Sequence, residues 1–563
     1  MTRPARHTAQ GRGAAAAAED PRVLDAIATV LEKGGNAVDA AVAGAAAQGV
    51  CRPMSGGLGG GGFMVITLPT GRTVVIEHRE QASAAFGPDS FIEDGRPLPD
   101  GERRVHGESV GVPGAARAWD EALKVYGRLD LAEVLAPAIE LADRGFEVDE
   151  TLQREIHVRR NDFAMFEPTC DLYLTPEKEA IPVGHVLRNP DLARTYEKLA
   201  ADGMDGFYHG WVADAIVAAV NEPPEASGNT RTIRRGRLAQ GDFLHYQARH
   251  LEPLRYRFGE YELAGAPLPS SGAFSIAEAL AILDRQRKIT PNDDMAEHLH
   301  RYLTACRLAF ADREAYLGDN RLVDVPVAAL LSDEYLQARA SQTGLPGGHA
   351  AEPGDVRRGA PPWVAWEPES PSTIHLTVTD GEGCTVSYTS TIVSMGGCGI
   401  VVPGTGILLN DALAGRAIDR GGKFGAGRPM GGMRPLSSMA PTMVFRDGRL
   451  VQTVGSPGGT TIITTVLQIL YLTLGAGMSL HDALAYPRVT QRNRADGKAE
   501  AEPEFLALDV AGALRERGHS FDTWRPVEGI GAANGLQWHE DGSVTAVAEP
   551  MRRGGGHATV WDR

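Results

Sequence analysis

One residue type carries the first chemical possibility. Thr373 opens a strand-like run, Thr373–Thr379, immediately behind a glycine- and proline-rich stretch. If the chain broke before it, one residue would own both a nucleophile and a base. Its hydroxyl would attack, and its freed α-amine, with an unperturbed pKa of about 7.7–8, would accept the proton. On the local pattern alone the better reading is a β-branched residue that simply suits a strand. Other chemistries find less support. Cys51, Cys170, Cys306, Cys384 and Cys398 contain no C-x-x-C pair. An odd, thin set of this kind fits buried free thiols better than a zinc site or a disulfide framework. The histidines, His78 and His375 among them, show no ligand spacing, so no metal and no cofactor is expected.

The elements that must hold Thr373 are well punctuated. Asp20 can cap a helix begun by Pro21, with Val23, Ile27, Val30 and Leu31 at helical spacing and Gly34-Gly35 as its stop. Asn36 can cap a second, alanine-rich helix over Ala37–Ala47. The glycine run 56–62 follows, and then a hairpin of Phe63–Leu68 and Thr73–Glu77. Helices are expected over Arg117–Tyr126, Leu131–Arg144, Ser275–Arg287 and Ala296–Tyr316. Residues 342–372 read as an exposed connector, after which Thr373–Thr379 and Cys384–Thr391 form a second hairpin. Strands in both halves with helices between them imply α/β layers.

Composition narrows the class. The chain has 563 residues, 43% hydrophobic and 23% charged, which is globular usage. Its net charge of −16 makes a nucleic-acid partner a poor expectation. The longest apolar run near the N-terminus is five alanines, short of a secretory core of roughly 7–15 residues. No stretch reaches the roughly 18–20 apolar residues of a membrane span. The expectation is a soluble, cytoplasmic chain without a membrane partner, with residues 1–18 as a flexible tail.

Ten segments in order give the chain a resemblance. They are GGNAVDAAVA (34–43), GGLGGGGFM (56–64), HRE (78–80), GVPG (111–114), LPSSG (268–272), ADREAYLGD (311–319), STIHLTV (372–378), GILLND (406–411), RPLSSMAPT (434–442) and GSPGGTTIITT (455–465). On these the chain resembles the γ-glutamyltransferase (glutathione hydrolase) family of N-terminal-nucleophile (Ntn) hydrolases. The resemblance implies an αββα four-layer sandwich made from two chains of one autocleaved precursor. Thr373 would be the nucleophile, with the break at Ser372–Thr373, a large subunit from 19–372 and a small one from 373–563. Thr391 would orient the nucleophile. Gly458 and Gly459 would bind the oxyanion, and Arg79, Ser437 and Ser438 the substrate carboxylate. Each assignment has a plainer alternative. Thr391 can be an ordinary strand residue and Gly458-Gly459 a turn before Ile462–Leu472. Arg79 can pair on the surface with Glu77 or Glu80, and the serines can be caps.

The resemblance fails at three positions. Where the family binds the substrate's α-amine with an Asn, a Gln or Glu, and an Asp, this chain has Val393, Ala412 and Gly415. A buried ammonium without partners costs several kcal/mol. Carboxylate binding is therefore expected to persist and amine binding to be lost. Arg416, Arg420, Lys423, Arg428 and Arg434 against Asp419 make the next loop basic. This is a cationic flap favouring an anionic small-molecule substrate, or else a solvated loop. The leading expectation is a threonine hydrolase for a carboxylate-bearing substrate, including hydrolytic C–C cleavage that releases an oxalyl-type fragment, as in alkylproline antibiotic biosynthesis. The alternatives are a glutaryl-type acylase and a conventional γ-glutamyl hydrolase or transpeptidase.

Overall fold

The computed structural model describes residues 7–286, 294–344, 347–356, 366–367, 372–417, 430–525 and 529–562. Two antiparallel seven-stranded sheets lie face to face. The first runs Thr8–Gly11, Val544–Ala548, Asn534–Trp538, Arg449–Gly455, Thr442–Arg446, Tyr261–Gly265 and Leu254–Phe258. The second runs His557–Asp562, Gly13–Ala18, Ile374–Thr379, Thr385–Thr391, Gly61–Thr67, Thr73–Glu77 and Arg249–Leu251. Helices Pro21–Glu32 and Ala37–Cys51 pack on the outer face of the second sheet. Helices Gly272–Asp284, Met295–Tyr316 and Thr461–Leu470 cover the first. The layers are therefore helix, sheet, sheet, helix, as expected for an α/β Ntn-hydrolase sandwich.

The period-2 alternation of side chains explains this layering. In the strand Gly13–Ala18, Ala15 and Ala17 face the other sheet with Leu536 and Ala546, whereas Ala16 and Ala18 join the helix-side core. Small side chains let the sheets approach closely enough for polar links. Thr377 Oγ1 lies 2.9 Å from Thr453 Oγ1, and Asn534 Nδ2 donates to the His375 carbonyl at 2.8 Å.

This strand corrects the expected flexible tail of residues 1–18. Thr8–Gly11 pairs with Val544–Ala548, and Gly13–Ala18 is paired on both sides, with His557–Asp562 and with Ile374–Thr379. An alanine run has little local strand signal, and its partners lie more than 350 residues away, so only the tertiary fold reveals it. Residues 1–6 lie outside the described residues. The expected helix Leu131–Arg144 forms with both ends as read, and the other three form with shifted ends, at Ala115–Tyr126, Gly272–Asp284 and Met295–Tyr316. Asp20 and Asn36 cap as expected. The connector ends differently from its reading as exposed, because Ser372 is buried. Its hydroxyl donates to the Met54 carbonyl at 3.0 Å or the Ser55 hydroxyl at 2.9 Å. All five cysteines are buried and free.

Candidate active site

The site follows from hairpin register. Ile374 pairs with Ser390, so one step further the antiparallel geometry sets Thr373 opposite Thr391. Their hydroxyl oxygens are 3.2 Å apart. Thr391 Oγ1 accepts the Val393 N–H at 2.8 Å and lies 3.3 Å from the Ser372 carbonyl oxygen, to which it can donate. Thr373 Oγ1 lies against the same carbonyl. Both threonines are buried. A hydroxyl beside its own preceding carbonyl, with a second hydroxyl touching both, has the components of an intramolecular N-to-O acyl shift.

Around Thr373 lies a cleft of about 290 Å³ that Arg79, Thr391, Val393, Ser437, Ser438 and Gly459 help to line. Six of the seven expected site residues thus share one surface, with Gly458 adjoining. The strand Arg449–Gly455 ends below the cleft and helix Thr461–Leu470 leaves it. Between them Gly458 has φ +138° and Gly459 φ +58°, conformations that favour glycine. A Cβ on Gly458 would meet Thr461 Oγ1 at 2.6 Å, and that hydroxyl donates to the Gly458 carbonyl at 2.8 Å. Neither glycine amide donates a hydrogen bond to another described residue.

Arg79 extends from the end of strand Thr73–Glu77 and is buried. Its Nη1 donates to Glu80 Oε2 at 2.6 Å, and its backbone N–H to Glu77 Oε1 at 2.8 Å. The arginine does pair with Glu80, but in the interior and at the cleft wall, not on the surface. Burial raises the Glu80 carboxyl, and the Arg79 charge opposes that rise. Arg79 Nε is buried with no hydrogen-bond partner among the described residues. A buried donor of this kind calls for an acceptor.

The serines are held by contacts the sequence did not reveal. Ser271 N–H and Oγ donate to the Ser437 carbonyl at 2.7 and 2.8 Å. Arg313 donates from Nε to Ser271 Oγ at 2.9 Å and from Nη2 to Ser438 Oγ at 3.1 Å. The segments LPSSG and ADREAYLGD therefore act through RPLSS. Arg313 lies on the buried helix Met295–Tyr316, a placement that makes a charged residue conspicuous.

At the three departures the surroundings are apolar or structural. Val393 lines the cleft at φ +80°, a left-handed conformation that a β-branched residue rarely adopts. Ala412 and Gly415 are buried, and the Gly415 carbonyl accepts from Arg103 Nη1 at 2.9 Å. Asn410 ties the Gly59 and Gly111 carbonyls together, and Asp411 accepts the Ser394 N–H at 2.8 Å. Among the described residues lining the cleft, Arg79 is the one charged side chain.

The expected basic flap is corrected at one end. Arg434 is buried and paired with Glu77, its guanidinium 4.9 Å from the Tyr246 ring centroid, so it braces the fold instead of moving with a loop. The backbone of Arg416 pairs with Glu367. Arg420, Lys423 and Arg428 lie outside the described residues.

Comparison with known proteins shows the family and the fold. The family model for gamma-glutamyltranspeptidase matches residues 25–559. The glutathione hydrolase proenzyme of Bacillus subtilis (strain 168) is 34% identical over 97% of this chain and 91% of its own. Among solved structures, cephalosporin acylase from Bacillus halodurans superposes with a TM-score of 0.86 at 26% identity, covering 100% of this chain and 98% of its own. A protein named LmbA superposes with a TM-score of 0.84 at 26% identity, covering 100% of both. Among the described residues no helix is long and apolar enough to cross a membrane. With the family model spanning nearly the whole chain and relatives above 30% identity covering most of it, this protein belongs to the gamma-glutamyltranspeptidase family of Ntn-hydrolase enzymes.

Proposed function

We propose that the chain is an autoprocessing N-terminal threonine hydrolase for a small anionic substrate that carries a carboxylate but no α-amine. The observation that carries this reading is the cleft itself. Thr373 and Thr391 share it with Ser372, Arg79, Ser437, Ser438 and Val393, and on the family resemblance Val393 replaces the Asn that would bind an amine. In maturation Thr373 Oγ attacks the Ser372 carbonyl carbon, the C–N bond breaks, and an ester forms. Water then hydrolyses the ester, leaving the Ser372 carboxylate and a free Thr373 amine. The two products are a large subunit ending at Ser372 and a small subunit beginning at Thr373.

In turnover the amine takes the hydroxyl proton as Oγ attacks the substrate's carbonyl. The Gly458 and Gly459 amides are the donors for the oxyanion, where each such donor is worth about 2.7–4 kcal/mol. The amine returns the proton to the departing nitrogen or carbon, and water releases the acyl group from Thr373. The Arg79 fork and the two serine hydroxyls hold the carboxylate. Val393 and Ala412 offer an ammonium no partner.

Two bond types fit this scheme: an amide, as in a glutaryl acylase, and a C–C bond whose cleavage releases an oxalyl-type fragment in alkylproline biosynthesis. Resemblance to cephalosporin acylase across the full chain favours the first. A conventional γ-glutamyl hydrolase or transpeptidase is favoured by the 34% identity to a glutathione hydrolase proenzyme, and disfavoured by Val393, Ala412 and Gly415. Assaying glutaryl 4-nitroanilide, γ-glutamyl 4-nitroanilide and an oxalyl-substituted cyclic amino acid in parallel separates the three. The proposal expects turnover of the first or third. A clear preference for the γ-glutamyl anilide would refute the loss of amine recognition.

A further inference from the structure

A buried arginine from the far end of the chain touches the residue after the proposed break directly and the residue before it through Ser55. Arg553 Nη1 donates to the Thr373 carbonyl at 2.7 Å. Its Nη2 donates to Ser55 Oγ at 2.7 Å, and Ser55 Oγ is 2.9 Å from Ser372 Oγ. Arg553 itself sits at φ +54°, ahead of Gly554 and Gly555 at +84° and +82°. A non-glycine residue persists in that conformation when its surroundings over-determine it, and such strain gathers at functional sites. Here Thr151 Oγ1 donates to its carbonyl at 3.4 Å, and two carboxylates flank its guanidinium. Glu155 Oε1 is 3.2 Å from Nη2 and Glu19 Oε1 is 3.5 Å from Nη1.

We infer that Arg553 is a positioning residue for Thr373, and that its charge, offset by Glu19 and Glu155, sets the pH range in which the freed Thr373 amine is an effective base. This inference rests on the reading of Thr373 as an N-terminal nucleophile. Before cleavage the guanidinium fixes the carbonyl of Thr373 while Ser55 fixes the hydroxyl of Ser372. After cleavage Ser372 is released, whereas Thr373 stays anchored by the same 2.7 Å contact, with its amine beside a buried cation. A nearby cation disfavours the ammonium form, so the amine becomes neutral at lower pH than it otherwise would.

The charges around this network come from several elements. Asp20, Arg52 and Asp149 form a neighbouring ion group, with Arg52 Nη2 3.1 Å from Asp20 and 2.6 Å from Asp149. Arg79, paired behind the cleft surface with Glu80, also lines the cleft. His375, two residues along, is held neutral by burial, its pKa pushed down to about 3. Glu19 is the adjustable member. Burial lifts its carboxyl to about 7, against the opposing charges of Arg553 and Arg52. Its proton therefore exchanges in the range where an N-terminal amine titrates.

The test measures the Thr373 amine directly. Mature protein is trace-labelled with acetic anhydride across a pH series, and the acetylated N-terminal peptide of the small subunit is quantified by mass spectrometry. Removing an anion lowers an amine's pKa, so Glu19→Gln is expected to move the midpoint down by about half a pH unit. Arg553→Gln, which removes the cation, is expected to move it up by about one unit. Arg553→Lys keeps the charge but loses the fork, and is expected to slow precursor cleavage about tenfold with little change in midpoint. If Arg553→Gln yields no mature protein, Glu19→Gln and Arg553→Lys decide. Unchanged midpoint in Glu19→Gln together with parental cleavage in Arg553→Lys would overturn the inference. An unsubstituted chain that never cleaves would instead overturn the reading on which it rests.

Discussion

Removing Arg79 should produce two separable losses, and the structure says how to part them. The guanidinium is the partner of Glu80, at 2.6 Å and with side-chain exposures of 3% and 0%. Arg79→Met leaves that carboxylate buried and unpaired, which typically costs about 3–5 kcal/mol. The cost depends on pH with a definite sign. Burial already raises the Glu80 carboxyl, and without the Arg79 charge and hydrogen bond only a backbone hydrogen bond opposes that rise. A carboxyl whose folded pKa lies above its unfolded value contributes stability at low pH, and loses that contribution as pH rises through the folded value. The deficit of Arg79→Met should therefore be smaller near about pH 5.5 than near about pH 8.5. Arg79→Met with Glu80→Gln removes the buried charge and should recover at least half of the lost stability. Carboxylate binding should not return. A charge-assisted hydrogen bond is worth about 1.5–3 kcal/mol, so KM for an anionic acyl anilide should stay raised by roughly 10–150-fold. Urea unfolding at both pH values and steady-state kinetics on the single and double variants make the comparison. A double variant with parental KM would show that Arg79 is Glu80's partner and nothing more.

Other consequences are equally specific. Gly458→Ala drives a Cβ toward Thr461 Oγ1 at 2.6 Å and forces φ +138° on an L-residue, so kcat should fall about 10²–10³-fold through a displaced oxyanion donor. Melting should show only a modest loss, and intact kcat would remove Gly458 from the oxyanion site. Val393→Asn puts a residue that tolerates left-handed backbone at φ +80°. It should melt within about 1 kcal/mol of the parent, because relief of about 1–3 kcal/mol of strain offsets lost apolar contact. Turnover of γ-glutamyl 4-nitroanilide should rise, and no rise would deny position 393 a part in amine discrimination. Arg313→Lys keeps a cation near Ser438 but not the fork that also reaches Ser271. KM for carboxylate substrates should rise with precursor cleavage unchanged, and arrested cleavage would mark Arg313 as a folding residue.

The expected site residues were legible through the ordered family motifs, since a Thr that opens a strand reads by itself as an ordinary strand residue, and the structure brings six of the seven to one cleft. Eighteen residues and one hairpin separate Thr373 from Thr391, and strand register brings them together without reference to the rest of the fold. The glycines after strand Arg449–Gly455 are similarly local. Non-local pairing escaped the sequence. Alanines 14–18 favour no one element by themselves, yet they sit between strands from residues 557–562 and 374–379. Arg553 and Arg313 carry their information in what they touch, 180 and 125 residues away. Arg434 shows the opposite failure. Counted with its loop it suggested a mobile cation, whereas Glu77 and Tyr246 bury it.

The account stands most directly on the covalent state of the purified protein. Intact-mass analysis with N-terminal sequencing should find, in place of one 60.0 kDa chain, two chains, the smaller beginning Thr-Ile-His at residue 373. Thr373→Ala should remain whole and inactive. Active protein that keeps residues 372 and 373 joined would contradict the account.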